Sequence, residues 1–453
     1  MMPDKIKKCI TFFVGYGNLA KSKILLYMSD DPLIRGILII GSGTVASQIL
    51  GMVFVPIITR IYPPVIFGTL AVFLSLTIIL VDISAFRYEL AIPIPDKDED
   101  AEYLLLLSLS IVCILTLILF LTLIIWGDFL AGIFHFEFMK PYYWLFCVGL
   151  LGISAYNILT YFAIRFKDYL KITHTKISQG VSGSVSKIIL GLLSFGSFGL
   201  ICGEIIGRMA GVGTLGRTVF PKMWHLIKNF NVDKLKTIAK KYKKFPLFSM
   251  PATFINDISL QAPTLLLSII FGFQVVGLYS LSYSILVYPV SMISGSIAQV
   301  HFGEISALFR KNSPEILELY LKTTKRLFRF GAPVFFVGAI ISPIVFPFIF
   351  GHAWKDAGIF CLPLSLMVLA NFVVSSTDRL EMYGYNHWEL MWNISRTVLV
   401  ISGFFLAFLF HLSPIETILI YSLIMTIMYI VCYILNIKAL KQIVKRNKAT
   451  INV

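Results

Sequence analysis

Twelve stretches of about twenty or more apolar residues follow one another almost end to end in this chain, and that feature leaves few folds open. They fall at 36–59, 67–92, 103–126, 142–164, 172–195, 198–218, 247–271, 277–302, 327–350, 357–383, 389–410 and 415–437. Crossing about 30 Å of hydrocarbon takes roughly 20 apolar residues in a helix whose backbone groups all find partners within the segment. The chain is 57% hydrophobic and 14% charged, where a soluble domain carries about 25% charge. An all-α polytopic membrane protein of about twelve transmembrane helices is expected, with no stretch left for a sizeable soluble domain.

A net charge of +15 would raise nucleic acid as a partner in a soluble protein, so the placement of the cations decides. With the N-terminus inside, 32 of the 39 Lys and Arg fall in connections on one side, and only Arg60, Lys140 and Lys355 on the other. Lys187, Arg208, Arg379 and Arg396 fall within spans. Basic residues are retained on the cytoplasmic side, so the charge reports topology: both termini cytoplasmic and no nucleic acid bound. Residues 1–35 carry five lysines and Arg35 without a convincing cleavage site, which reads as a retained cytoplasmic segment. The six cysteines show no CxxC pattern and no histidine-rich spacing, so they read as packing residues and no metal site is expected.

The longest connection, 219–246, divides the spans six and six, giving an N-lobe at 36–218, a C-lobe at 247–440 and a basic tail at 441–453. Both lobes then start and finish on the same side, which makes them parallel repeats related by a pseudo-twofold axis. The turn Ile61-Tyr62-Pro63-Pro64-Val65-Ile66-Phe67-Gly68 after span 1 matches Ile270-Phe271-Gly272-Phe273-Gln274-Val275-Val276-Gly277 after span 7 in position and length. Within the central connection Leu235, Ile238, Ala239 and Tyr242 recur at helical spacing among lysines. Two readings suit it: a helix resting on an anionic leaflet, or an anchor and linker between lobes.

Charged residues inside spans carry the functional information, since each costs on the order of 2.5–3.5 kcal/mol at a helix centre. They are Asp82, Lys187, Glu204, Arg208, Asp257, Asp378, Arg379, Glu381 and Arg396. Glu204 and Arg208 stand four apart and can pair on one helix face, either to neutralise each other or to present charge to a substrate. Arg60, Lys187, Arg208 and Arg396 are candidate cavity cations that would bind an anionic, phosphate-bearing head, guanidinium being suited to bidentate contact. Asp257, with Asn256, lies between Pro251 and Pro263 and is a candidate ligand for Na⁺ or a proton as coupling ion; a packing hydrogen bond is the other reading. No GxSxG, HExxH or P-loop motif occurs, so a transporter is expected, with neither catalytic residue nor bound cofactor.

Several segments resemble the polysaccharide-biosynthesis or O-antigen (Wzx-type) flippases of the multidrug/oligosaccharidyl-lipid/polysaccharide exporter (MOP) superfamily. They are Thr59 to Gly68, Phe86-Arg87-Tyr88-Glu89-Leu90-Ala91-Ile92-Pro93 with the acidic loop Asp96 to Asp100, Ala163-Ile164-Arg165, Gly199-Leu200-Ile201-Cys202-Gly203, and Phe350 to Gly358. The resemblance covers about residues 36–440. It departs at Pro63-Pro64-Val65-Ile66, where the family pattern has a serine, a proline and an acidic residue before Phe-Gly. It implies two six-helix lobes around a central cavity, alternating access, and export of undecaprenyl-pyrophosphate-linked repeat units for O-antigen or capsule across a bacterial cytoplasmic membrane. A lipid-linked oligosaccharide is then the substrate, with membrane lipids, a polymerase and chain-length machinery as partners. A multidrug antiporter of the same superfamily would show a more acidic and aromatic cavity. A membrane glycosyltransferase or polymerase would need a larger external loop than 127–141.

Overall fold

The computed structural model describes residues 32–134, 137–228, 230–310, 313–378, 380 and 382–451. The basic N-terminal segment, Arg379 and Glu381 lie outside them. The described residues form helices joined by short turns. The first half comprises α1 (Pro32–Ile61), α2 (Pro64–Ile83), α3 (Asp98–Phe134), α4 (Tyr143–Arg165), α5 (Tyr169–Leu192) and α6 (Gly196–Met209). Between the halves lie α7 (Val212–Lys228) and α8 (Val232–Lys241). The second half comprises α9 (Met250–Phe271), α10 (Phe273–Arg310), α11 (Glu315–Phe350), α12 (Lys355–Ser375), α13 (Asn386–Leu409) and α14 (Pro414–Ile451).

Among the described residues eleven helices are long and apolar enough to cross a membrane. The twelfth expected span, 172–195, corresponds to α5, whose 24 residues reach about 36 Å at 1.5 Å each. Lys176, Ser178, Gln179, Ser182, Ser184, Ser186 and Lys187 make α5 too polar for lipid, and it is packed between α1 and α6 instead. The apolar surface faces outward elsewhere: Ile124, Ile125 and Phe129 on α3 and Val334, Phe336 and Ile344 on α11 are all exposed, as a lipid-facing flank requires.

Three of the expected spans are interrupted or end early. Span 6, expected at 198–218, breaks at Ala210–Gly211, where Gly211 takes a φ of 107°, so α6 and the start of α7 together make that span. Span 2, expected to reach 92, stops at Ile83, because Phe86 and Arg87 take positive φ (51° and 62°) and start a short 3₁₀ turn, Tyr88–Ala91. Nothing in the apolar pattern signals that left-handed turn, which L-residues seldom adopt. Span 10 likewise ends at Ser375, so Asp378 lies in the connection beyond it, where it accepts from Asn436 Nδ2 (2.7 Å) and from the Cys432 thiol (3.3 Å).

The two repeated turns meet. A Cβ at Gly68 would overlap the carbonyl oxygen of Phe273, and one at Gly277 would overlap that of Pro64. Each glycine thus abuts the residue four before the other, a reciprocal contact of the kind a twofold axis produces. Arg60 Nη2 donates to the Phe348 carbonyl (3.0 Å) and Trp354 Nε1 to that of Thr59 (2.8 Å), closing the halves together at this end. Each span reverses the chain, so the connections after α2, α4, α6, α10 and α12 gather at the opposite, basic end.

There α8 docks on protein. Asn231 caps it, accepting from the amides of Asp233 and Lys234, and Ile238 and Tyr242 are buried in the core that holds Tyr88 and Tyr103. Lys234 pairs with Glu99 (2.5 Å), and Tyr88 donates to the Ala239 carbonyl. Of the two readings of this apolar stripe, a leaflet or an anchor on protein, the structure shows the second: it packs on the first half, while Lys236, Lys240, Lys241, Lys243 and Lys244 stay exposed. Beside it Arg165 gathers the acidic loop, donating to Asp98 (2.8 and 3.0 Å) and to the Pro95 carbonyl.

Candidate functional site

Gly199, Gly203 and Gly207 recur every four residues along α6 and let its backbone approach α5 closely, meeting Leu190, Lys187 and Gly183 in turn. This fit carries Lys187 alongside Glu204. Lys187 Nζ pairs with Glu204 Oε2, and Arg208 Nε donates to Glu204 Oε1 at 2.7 Å. One carboxylate thus bridges two cations, leaving the cluster with a net positive charge. Tyr62 donates to the Lys187 carbonyl (2.8 Å) and Gln179 Nε2 to that of Arg208 (2.7 Å), fixing both backbones.

The Arg208 side chain is 38% exposed against 15% for Glu204 and 18% for Lys187, so the guanidinium is the most accessible member of the cluster. Tyr288 of α10, in the other half, lies within electrostatic reach of Glu204 and Arg208. Only Nε of Arg208 engages a protein acceptor among the described residues, which leaves the Nη edge for a ligand. Counting about 1.5 Å per residue, Glu204 lies about 12 Å and Arg208 about 18 Å in from the start of α6. Sequence spacing announces Glu204 with Arg208; the arrival of Lys187 depends on the glycine repeat along α6, itself visible in the sequence.

The remaining candidate cations lie apart. Arg60 belongs to the closed end. Arg396 is 7% exposed, inside the second half, with its guanidinium 4.8 Å over the Trp392 ring.

A second polar cluster lies toward the basic end. Asp82, one residue from the end of α2, and Asp257 of α9 bring their carboxyl groups within hydrogen-bond reach across the halves. Asp257 is 7% exposed; Asn256 Nδ2 approaches its Oδ1 at 3.4 Å, and its Oδ2 meets no donor among the described residues. The helix around Asp257 is continuous. Pro251 follows directly on a π-helical turn, Phe245–Ser249, so its missing N–H frees a carbonyl in that preceding turn, and Pro263 disturbs the carbonyl four residues before it, past Asp257. Asp257 therefore sits in a continuous stretch of helix, with Asp82 as its acidic neighbour. Distance along the chain hid that neighbour.

Asp82 also lines a cavity of about 290 Å³ with Arg87, Glu89, Asn157, Tyr161 and Lys176. Glu89 lies in the turn outside the spans, 6% exposed, with Arg87 Nη1 3.5 Å from Oε1 and no donor to Oε2 among the described residues. Burial pushes its carboxyl up to about 7, partly opposed by its backbone hydrogen bond and by Arg87.

Two six-helix halves, apolar toward lipid and charged between them, define a multi-pass α-helical membrane protein. The solved structures most like it in fold include a lipid II flippase, MurJ, in an inward closed conformation, with a TM-score of 0.63 at 13% identity over 91% of each chain. A multidrug resistance MATE family transporter of the MOP superfamily, inward-facing, superposes with a TM-score of 0.52 at 16% identity over 89% of this chain and 95% of its own. The chain shares their twelve-helix fold. Residues 57–358 match the polysaccharide biosynthesis protein family, and the chain belongs to it. Among its curated relatives are the amylovoran biosynthesis protein AmsL of Erwinia amylovora, 21% identical over 35% of this chain, and the teichuronic acid biosynthesis protein TuaB of Bacillus subtilis (strain 168), 26% identical over 32%. These matches span 41% and 29% of the relatives' own lengths.

Proposed function

We propose that this protein is a flippase that carries a lipid-linked oligosaccharide, an undecaprenyl-pyrophosphate-linked repeat unit for O-antigen or capsule, from the cytoplasmic to the outer leaflet of a bacterial cytoplasmic membrane. The observation that carries the reading is the Lys187–Glu204–Arg208 triad: net positive, on and against the one long helix among the described residues too polar for lipid, with an accessible guanidinium within electrostatic reach of Tyr288. A diphosphate crossing the membrane needs a charge-complementary stop that does not hold it permanently, and a half-neutralised arginine fork supplies one. Family membership supports a polysaccharide precursor, and the lipid II flippase fold supports a lipid-borne one. The basic end is then cytoplasmic, as are both termini, and the reciprocal contact of Gly68 and Gly277 closes the outer end. Arg208→Gln is expected to lower surface polysaccharide at unchanged protein level while Arg208→Lys retains part of it; normal export by Arg208→Gln removes the triad from the mechanism.

Coupling is assigned on the same reading to Asp257, with Asn256 beside it and Asp82 opposite. Two carboxyl groups stay in contact only while they share a proton or a cation, so release of that ion separates the halves at the basic end. In proteoliposomes Asp257→Asn is expected to keep substrate binding and lose the response to an imposed Na⁺ or proton gradient. A full response in that variant refutes the assignment.

A further inference from the structure

Arg396 presents an unsolved charge. It is 93% removed from solvent, taking the complement of its 7% exposure, yet it joins none of the ion pairs among the described residues. A buried cation without a counter-charge is costly, and proteins hold one when something else supplies the negative charge. The Trp392 face below it, fixed by the bond from Trp392 Nε1 to the Met428 carbonyl (2.6 Å), stabilises the cation without neutralising it.

The guanidinium opens on a chamber of about 30 Å³ enclosed by α9, α10, α12, α13 and α14, all from the second half. Its polar lining consists of Ser259, Tyr283, Asn371, Arg396, Tyr421 and Tyr429, with no carboxylate. The Tyr283 and Tyr429 rings both lie within electrostatic reach of Arg396. Neither phenol hydroxyl engages a protein acceptor among the described residues, whereas Ser259 is already bonded to Thr397 (2.7 Å). Among the acids around this half, Asp257 of α9 faces Asp82, Asp378 is held by Asn436 and Cys432, and Glu389 lies two turns before Arg396 on α13; none forms an ion pair with Arg396 among the described residues.

We propose that this chamber is a binding site for a chloride-sized monoanion. Arg396 supplies the charge, and the Tyr283 and Tyr429 hydroxyls with the Asn371 amide supply neutral donors. A cavity of about 30 Å³ suits a water molecule or a halide better than a phosphate or diphosphate. The site is therefore separate from any contact with a phosphate-bearing substrate. Because five helices of one half converge on it, occupancy braces that half as a unit.

The test uses the purified full-length protein and thermal unfolding in sodium chloride, bromide, phosphate or gluconate at equal ionic strength. Chloride and bromide are expected to raise the melting temperature over gluconate in a saturable way, as a ligand of the folded state does, and phosphate is not. Arg396→Met should abolish the halide increment, and Tyr429→Phe should shift its half-saturation upward about tenfold, the effect of one hydrogen bond to a charged group. Should Arg396→Met fail to fold, the Tyr283→Phe/Tyr429→Phe double variant must show the weakened response. Equal melting in halide and gluconate would leave only water in the chamber and overturn the proposal, as would an undiminished halide increment in Arg396→Met or in the double variant.

Discussion

Replacing Glu204 separates the triad's structural debt from its use. In Glu204→Gln the amide keeps the shape and one acceptor oxygen but removes the only negative charge between Lys187 and Arg208. Breaking a buried ion pair by removing one partner costs about 3–5 kcal/mol, because a charge is left uncompensated. The Arg208 side chain is 38% exposed, so water screens part of its share, and the lower end, about 3 kcal/mol, is expected. Lys187→Met leaves Glu204 and Arg208 paired with no orphan charge and should cost about 1 kcal/mol. The double variant Lys187→Met/Glu204→Gln removes the surplus cation and should recover about 1 kcal/mol of the loss, a coupling that neighbouring charges show and distant ones do not. Equilibrium unfolding of the four proteins in one detergent measures all of these. If Glu204→Gln is no less stable than Lys187→Met, or the double variant is additive, the carboxylate does not hold the two cations as described.

Glu89 gives a pH dependence. Its folded carboxyl titrates near 7 against an ordinary value of 4.5, so the fold favours the protonated form; that stabilisation is complete below about 4.5 and is lost as pH rises through 7. Glu89→Gln, always neutral, should exceed the wild type by up to about 3 kcal/mol at pH 8 and match it near pH 4.5; a gap that ignores pH contradicts the burial argument. Gly277→Leu cannot let the Phe273 and Pro64 turns touch, so spin labels at Val65 and Phe348 should move apart; an unchanged distance means the glycine contact is not what closes that end. A cysteine at Lys240, on the exposed side of α8, should escape an impermeant reagent added to intact cells, and labelling from outside would reverse the topology.

The spans and their division into halves follow from apolar length and from where lysine and arginine accumulate, and the reciprocal turn contact follows from a repeat visible as Phe-Gly after span 1 and Val-Gly after span 7. The i, i+4 spacing of Glu204 and Arg208 was readable for the same reason: it is local. Lys187 was named as a cavity cation, but only the glycine repeat on α6 says which residue it meets. The partnership of Asp257 with Asp82 joins two halves through packing of α2 on α9, which no local period encodes. Arg396 looked like Arg208 by composition; five surrounding helices, not its neighbours in sequence, remove it from the space between the halves. The stripe on α8 had the right period and an ambiguous destination, since a protein core and a leaflet ask for the same apolar face.

The most direct measurement is translocation itself. Proteoliposomes holding the full-length protein and a pyrophosphate-linked oligosaccharide lipid are treated with an impermeant glycosidase, which reports how fast the inner-leaflet pool becomes accessible. The wild type should make that pool accessible in a protein-dependent way, with Arg208→Gln slowed about tenfold at equal reconstitution, the effect of losing one charge-assisted contact. Accessibility no faster than in empty liposomes, or an Arg208→Gln rate equal to the wild type, would contradict the account.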